Sequence, residues 1–312
     1  METPSVVFLG SGEFGAQTLE PLAKWGALRI IAVVTQPDKP VGRAQTLTPN
    51  PVAVLAKRLG LPIMQPKKLD EVFAHWLQET KPDVAIVASY GKLIPEAVLN
   101  IPPKGFVNVH PSMLPKYRGA SPVAGALLNG EKETGVSIML LDKGLDTGPI
   151  LQQESYVIPG GILREQLHER LAKKGAELLQ NSLLPYLADE IQPTPQTNEG
   201  VSLTQILTRE DGKIDWTKSA EQIYHQFQAL HPWPGIWTTW NAQQMKLLDV
   251  QVALLADQTK AGATFLQDHT LYVQCGSGVL QLKGLQLAGK TPQSSESLLR
   301  GYPNLAHTEL GK

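Results

Sequence analysis

The sequence predicts an α/β protein: a doubly wound, mainly parallel, Rossmann-like sheet domain followed by a small OB-like β-barrel domain. Three observations carry this expectation. Apolar runs at 5–10, 28–35 and 83–89 are continuous instead of alternating, the pattern of strands buried on both faces, and helical spacing fills the gaps between them. At 312 residues the chain exceeds the size at which one core stops growing, so two domains are expected. After about residue 205 the texture changes to short alternating strands with glycine turns and one helix, as in small barrels.

Taken in order, the first run, Ser5-Val6-Val7-Phe8-Leu9-Gly10, ends in glycine, and residues 14–24 carry helical spacing. Residues 28–35 form a second buried strand, and 37–51 a polar, proline-marked loop. A helix at 52–59, a short strand at 61–64, a helix at 69–79 and a long buried strand at 83–89 follow. Residues 106–110 alternate apolar and polar, the period of a strand, so Asn108 and His110 share one face; Pro111, with no N–H to donate, ends it. Another apolar strand spans 136–141, and a helical pattern over 162–187 closes the domain. Residues 189–204, with Pro193, Pro195 and Asn198, read as a linker, giving domains at 1–188 and 205–312. In the second, a helix at 216–230 and the turn His231-Pro232-Trp233-Pro234-Gly235 precede strands at 236–240, 245–252, 270–275 and 279–287.

Bulk properties exclude several classes. Apolar residues make up 42% and charged residues 18%, enough for packed cores. Net charge is −1, so no global basic field advertises nucleic acid or membrane. The single cysteine, Cys275, excludes an internal disulfide and a cysteine-cluster metal site, and fits a reducing compartment. No apolar run approaches the ~20 residues of a membrane helix, and a first strand starting by Ser5 leaves no room for a targeting peptide. A cytoplasmic protein with no membrane partner is expected. His225 and His231 lack partners at ligand spacing, so no metal is expected either.

Two motifs compete for the chemistry. Gly10-Ser11-Gly12-Glu13-Phe14-Gly15 satisfies the dinucleotide pattern between a strand and a helix, with Asp38 downstream. Against it, Glu13 would face an incoming pyrophosphate, and Asp38 lies past Pro37 in a loop. The second motif joins Asn108 and His110 to Asp146 in Asp142-Lys143-Gly144-Leu145-Asp146-Thr147-Gly148, at adjoining strand ends. An amide and an imidazolium aimed at one oxygen stabilise the charge that acyl transfer to an amine builds there. A carboxylate beside the imidazole favours the charged ring and fixes its tautomer. Each residue alone is more often structural; Asp146 alone would pass for a turn cap. Trp233, Trp237 and Trp240 are read as braces of the small barrel's core more than as base-stacking platforms, and Cys275 as a small buried hydrophobe.

The run Asn108-Val109-His110-Pro111-Ser112-Met113-Leu114-Pro115-Lys116-Tyr117-Arg118-Gly119-Ala120-Ser121-Pro122, with Thr134-Gly135-Val136-Ser137 and the Asp142–Gly148 motif, resembles the formyltetrahydrofolate-dependent formyltransferase family. The likeness extends to Thr35-Gln36-Pro37-Asp38-Lys39-Pro40-Val41-Gly42-Arg43 and, in the second half, to Ile214-Asp215-Trp216, the His231–Gly235 turn and Ala288-Gly289-Lys290-Thr291-Pro292. That second half separates the chain from members acting on free nucleotides or sugars.

The resemblance implies that Asn108, His110 and Asp146 are the catalytic trio and that Ser112, Met113, Leu114 and Pro115 contact folate, with Met113 in place of the family's leucine. It implies that residues 87–93 and 142–145 wall the pterin pocket. It implies 10-formyltetrahydrofolate as co-substrate, no metal, a monomer, and methionyl initiator tRNA as the acceptor, its α-amino group receiving the formyl group. Residues 39–47 would then meet the tRNA acceptor end, with Arg43 the contact. Many relatives carry further basic residues where this chain has Ala44-Gln45-Thr46. Residues 205–312 hold nine basic and nine acidic side chains, a net of zero, so tRNA binding there rests on clustering. Two other readings stand beside this one: a nicotinamide-dependent oxidoreductase built on Gly10–Gly15, and a catalytically silent RNA-binding relative.

Overall fold

Through the first part of the chain, strands and helices alternate: β1 (Ser5–Gly10), α1 (Glu13–Lys24), β2 (Arg29–Val34), β3 (Lys39–Val41), β4 (Thr46–Thr48), α2 (Pro51–Arg58), β5 (Ile63–Met64), α3 (Glu71–Thr80), β6 (Val84–Ala88), α4 (Glu96–Leu99), β7 (Phe106–His110), β8 (Arg118–Gly119), α5 (Pro122–Leu128), β9 (Glu133–Leu140), β10 (Ile150–Val157) and α6 (Arg164–Leu187). The remainder holds β11 (Leu203–Thr204), α7 (Ala220–Leu230), β12 (Ile236–Trp240), β13 (Gln243–Ala253), β14 (Thr264–Gln267), β15 (Thr270–Gln274), β16 (Val279–Leu287), β17 (Gln293–Ser294) and α8 (Ser295–Gly301). The structure is a computed structural model that describes residues 3–41, 45–257 and 259–312. It divides into two units: Met1–Val123 with Glu133–Ile158 and Gln166–Gln205, and Ala124–Lys132 with Pro159–Glu165 and Ile206–Lys312.

The first unit is built on a seven-stranded sheet of order β10-β9-β7-β6-β1-β2-β5. Pairing is parallel from β5 through β7 and antiparallel at β7–β9 and β9–β10. Every residue of β1, β6 and β7 is buried, which is why the first two read as unbroken apolar runs. Val7, Leu9, Val34, Phe73, Leu77 and Phe106 pack into one core on this sheet. Side-chain caps start two helices: Asn50 accepts from the Ala53 N–H and Asp70 from the Phe73 N–H, each worth about 1 kcal/mol. The expected loop at 37–51 contains a short antiparallel ribbon, β3 on β4. Strand β10 escapes a sequence reading because it is a half-exposed edge carrying Gln152, Gln153, Glu154 and Ser155. Residues 189–204, expected as a linker, are tied into this unit. Ile150 and Thr194 exchange backbone hydrogen bonds of 2.8 Å, and β11 pairs in parallel with β8.

The second unit is an antiparallel sheet of order β12-β13-β16-β15-β14, with β17 on β16. Among the described residues no pairing joins β14 to β12. In β12, Ile236, Thr238 and Trp240 face inward and alternate with more exposed neighbours, the period of a one-sided sheet. Helix α7 opens with a reciprocal cap between Ser219 and Gln222 and buries Ile223, Phe227 and Leu230. Among the described residues no helix is long and apolar enough to cross a membrane.

Candidate active site

Strand β7 delivers Asn108 and His110 two residues apart on one face, so their Cα atoms stand about 6.6 Å apart. Both are buried, at 8% and 4% exposure. Among the described residues the Asn108 carboxamide has no hydrogen-bond partner, and it is not one of the side-chain groups sealed from solvent without one, so it is open to a ligand. His110 is oriented from one side: Nε2 lies 3.0 Å from the Tyr117 carbonyl oxygen. A carbonyl only accepts, so Nε2 carries the proton and donates, and Nδ1 is the nitrogen facing the rest of the site.

Asp146 occupies that direction. Its Oδ2 lies 3.7 Å from His110 Nδ1 and accepts the Gly119 N–H at 2.7 Å. At 3.7 Å the pair is too far apart for a hydrogen bond but close enough for the carboxylate to hold an imidazolium charge. Nδ1 is therefore left open to a third atom. The alternative role for Asp146, a turn cap, is filled by Asp142, whose Oδ1 accepts from the Gly144 N–H at 2.9 Å and the Thr147 hydroxyl at 2.7 Å. Asp146 itself sits at φ +52, a left-handed conformation that Asp and Asn tolerate better than other non-glycine residues. Gly148 is required by space, since a Cβ there would run into the Leu140 carbonyl oxygen.

His110 and Asp146 meet, but not because strand ends adjoin. β9 runs antiparallel to β7, pairing Leu140 with Val107 and Ser137 with His110. The carboxyl end of β9 therefore lies beside the amino end of β7. The loop carrying Asp146 must run back toward His110 to reach it.

Residues 112–115 form a tightly bonded loop. Ser112 is fully buried and donates to the Lys116 carbonyl at 2.7 Å. The Ser137 hydroxyl donates to the Ser112 carbonyl and accepts the Leu114 N–H, while Gln153 Nε2 donates to the Leu114 carbonyl and to Ser137. Leu114 is buried, Pro115 is partly exposed, and Met113 packs its thioether over Gly135. The Ser112 hydroxyl and most backbone groups of the loop are thus committed internally, and the Met113 and Pro115 side chains are its more exposed part. Arg43 lies outside the described residues.

Gly10 to Gly15 has a structural job. The N–H groups of Ser11 and Gly12, which would cradle a pyrophosphate, both donate to the Ser89 carbonyl, at 3.1 and 3.4 Å. A Cβ on Gly15 would stand 2.5 Å from the Ala88 carbonyl oxygen, so glycine lets α1 approach β6. Trp240 is buried, Trp237 donates its indole N–H to the Arg209 carbonyl, and Trp233 is half exposed. Burial pushes the Cys275 thiol up to about 12. Among the described residues no cluster of three or more His, Cys, Asp or Glu is arranged for a metal ion.

Three groups that bond to His110 or to the Asp146 loop escaped sequence reasoning: the Tyr117 carbonyl, the Gly119 N–H and Gln196, whose Nε2 donates to the Asp146 and Gly148 carbonyls. The first two are backbone groups and leave no sequence signal. Gln196 sits in the proline-marked stretch that reads as a linker.

Comparison with known proteins bears on all of this. A family model described as Formyl transferase matches residues 5–183, and one described as Formyl transferase, C-terminal domain matches residues 206–303. A protein of Chloroflexus aurantiacus named methionyl-tRNA formyltransferase is 43% identical over 301 residues, covering 95% of this chain and 96% of the relative. One of the same name from Pelobacter propionicus is 41% identical over 314 residues, covering 100% and 97%. Among solved structures, an N-formyltransferase from Helicobacter canadensis in complex with folinic acid and dTDP-3-aminofucose superposes with a TM-score of 0.65 at 17% identity, covering 89% of this chain and 98% of that one. Matched over both its halves, and to full-length relatives well above 30% identity, this chain belongs to the formyl transferase family.

Proposed function

We infer that this chain transfers the formyl group of 10-formyltetrahydrofolate to the α-amino group of methionyl initiator tRNA. One observation carries the reading: relatives of about this length, matched end to end at 41–43% identity, bear that activity's name. The site geometry supports the chemistry. Among the described residues the Asn108 carboxamide has no partner, and His110, two residues on along β7, is pinned through Nε2 on Tyr117 with Asp146 beside Nδ1. The co-substrate supplies the formyl carbon. A free α-amine titrates near ~7.7–8.0 and its ester lower still, so the acceptor is largely neutral and no strong base is needed. Asn108 and His110 donate to the oxygen that gains charge as the amine attacks, Asp146 holds the imidazolium that this requires, and collapse breaks the bond between the formyl carbon and N10, the leaving nitrogen taking up the proton that the amine gives off.

We assign folate contact to residues 112–115, with Met113 and Pro115 as the more exposed side chains of that loop, and tRNA contact to Arg43. We assign the catalytic part to residues 1–188 and tRNA docking to 205–312. The six-stranded antiparallel sheet with the capped helices α7 and α8 supports an OB-like reading of that part. The test is formyl transfer from 10-formyltetrahydrofolate to methionyl-tRNA, with free methionine as the control acceptor. A chain that formylates neither, or that is thermally stabilised by NAD(P)H, is not this enzyme. Loss of the effect of charged-tRNA concentration in Arg43→Ala is not expected; a raised Michaelis constant for that substrate is, and an unchanged one removes Arg43 from the interface.

A further inference from the structure

One carboxamide in the first unit makes four hydrogen bonds at once. Gln196 Oε1 accepts from Arg118 Nε at 3.0 Å and Nη2 at 2.7 Å, while its Nε2 donates to the carbonyl oxygens of Asp146 and Gly148 at 2.8 Å each. Its neighbours along the chain hold the facing loop. Ser202 accepts the Tyr117 N–H through its hydroxyl at 2.8 Å and the Arg118 N–H through its carbonyl at 2.9 Å. That loop carries the two backbone groups that orient the trio, the Tyr117 carbonyl on His110 and the Gly119 N–H on Asp146. Residues 196–204 are therefore a strap across both sides of the His110–Asp146 pair.

We propose that Gln196 is a positioning residue of the formyl-transfer site, holding Asp146 at its working distance from His110. This rests on the catalytic reading of that pair. The Asp146 loop arrives from the amino end of β7 and bears a left-handed residue at its critical point. Its side chain is fixed by Gly119, but its backbone is fixed through the two carbonyls that Gln196 grips. A carboxylate displaced by about 1 Å costs up to ~10²-fold in turnover, so the grip has kinetic consequences beyond stability.

The substitution Gln196→Glu separates the two halves of the clamp. A carboxylate still accepts from Arg118, keeping the strap seated, but cannot donate to the Asp146 and Gly148 carbonyls and repels them. Gln196→Ala removes both halves and serves as the harsher companion. Single-turnover formyl transfer to methionyl-tRNA is measured on the parent, Gln196→Glu, Asp146→Asn and the double variant, each checked for folding by circular dichroism. Expected is a fall in kcat of about 10- to 100-fold in Gln196→Glu with KM for both substrates within about three-fold, and no further fall when it is added to Asp146→Asn. A folded Gln196→Glu enzyme within about two-fold of the parent overturns the proposal, as does a full multiplicative loss in the double variant. Parental turnover in Asp146→Asn defeats the role of Asp146 itself and the positioning proposal with it. Loss there beside parental turnover in Gln196→Glu defeats the positioning proposal alone.

Discussion

Replacing Asp146 by Asn tests the electrostatic core of the site with little change in shape. Asn keeps an oxygen for the Gly119 N–H, now 2.7 Å from Oδ2, and accepts the left-handed backbone at φ +52. What it removes is the charge 3.7 Å from His110 Nδ1, worth about 4.5 kcal/mol to an imidazolium at an effective dielectric of ~20. The Asp146 side chain is 13% exposed, so partial screening brings the loss to about 3–4 kcal/mol, or ~10²–10³ in rate. The effect belongs to kcat, because the charge is needed only as the formyl oxygen becomes negative. Global stability should change by less than about 1 kcal/mol. Asp146→Ala, in contrast, leaves the Gly119 N–H without its acceptor and destabilises the fold by about 1–3 kcal/mol. Single-turnover transfer to methionyl-tRNA, with urea melts alongside, reads both quantities. A kcat for Asp146→Asn within about ten-fold of the parent refutes the electrostatic argument.

Other perturbations probe the frame. Tyr90 is 2% exposed and its hydroxyl finds no partner among the described residues, so Tyr90→Phe should leave stability unchanged or raise it by about 1 kcal/mol in urea unfolding; a loss of that size would reveal a bond to the hydroxyl. Gly15→Ala places a Cβ 2.5 Å from the Ala88 carbonyl and 3.2 Å from Val52, and should destabilise by about 1–3 kcal/mol, while NADH leaves the parent's melting temperature unmoved; the opposite pair of results would restore the glycine turn as a cofactor site. The Cys275 thiol, pushed up to about 12 by burial, should resist iodoacetamide in the folded chain at neutral pH and react once urea unfolds it. Because its folded value lies above the ~8.5 of an unfolded thiol, its contribution to stability is complete below that pH and is lost as pH rises toward about 12. Denaturation midpoints of Cys275→Ala and the parent should therefore converge at alkaline pH, and a parallel course would exclude the thiol as the cause.

Where a segment's burial is symmetrical, its place was legible from residue types alone. β1 and β6 are buried on both faces and read as unbroken apolar runs. β10 was not legible because a half-exposed edge strand needs few apolar residues, and Gln152 to Ser155 have the composition of a loop. Within the site, Asn108, His110 and Asp146 stood out because an amide, an imidazole and a carboxylate are chemically conspicuous. What orients them is not: a carbonyl from Tyr117, an N–H from Gly119, and a glutamine 50 residues beyond Asp146 whose partners are backbone. Residues 189–204 illustrate the same limit. Their prolines describe a chain without regular structure, and an irregular chain is equally able to cross empty surface or to be strapped down by hydrogen bonds.

The antiparallel course of β9 explains why such a strap exists at all. Were β9 parallel to β7, its carboxyl end would lie next to His110, and a short loop would place a carboxylate there directly. Instead Leu140 pairs with Val107, at the amino end of β7, roughly 10 Å of strand away from His110. A loop making that return has no neighbouring strand to hydrogen-bond, so its carbonyls need partners from elsewhere. Asp142 satisfies the turn from within, Gly148 allows the close pass over Leu140, and Asp146 takes a left-handed conformation to aim its carboxylate. The carbonyls of Asp146 and Gly148 remain, and both are met by the one side chain of Gln196, itself held by Arg118. The carboxylate's position is thereby set by a segment distant in sequence, and activity should be sensitive to changes in residues 196–204 that never touch a substrate.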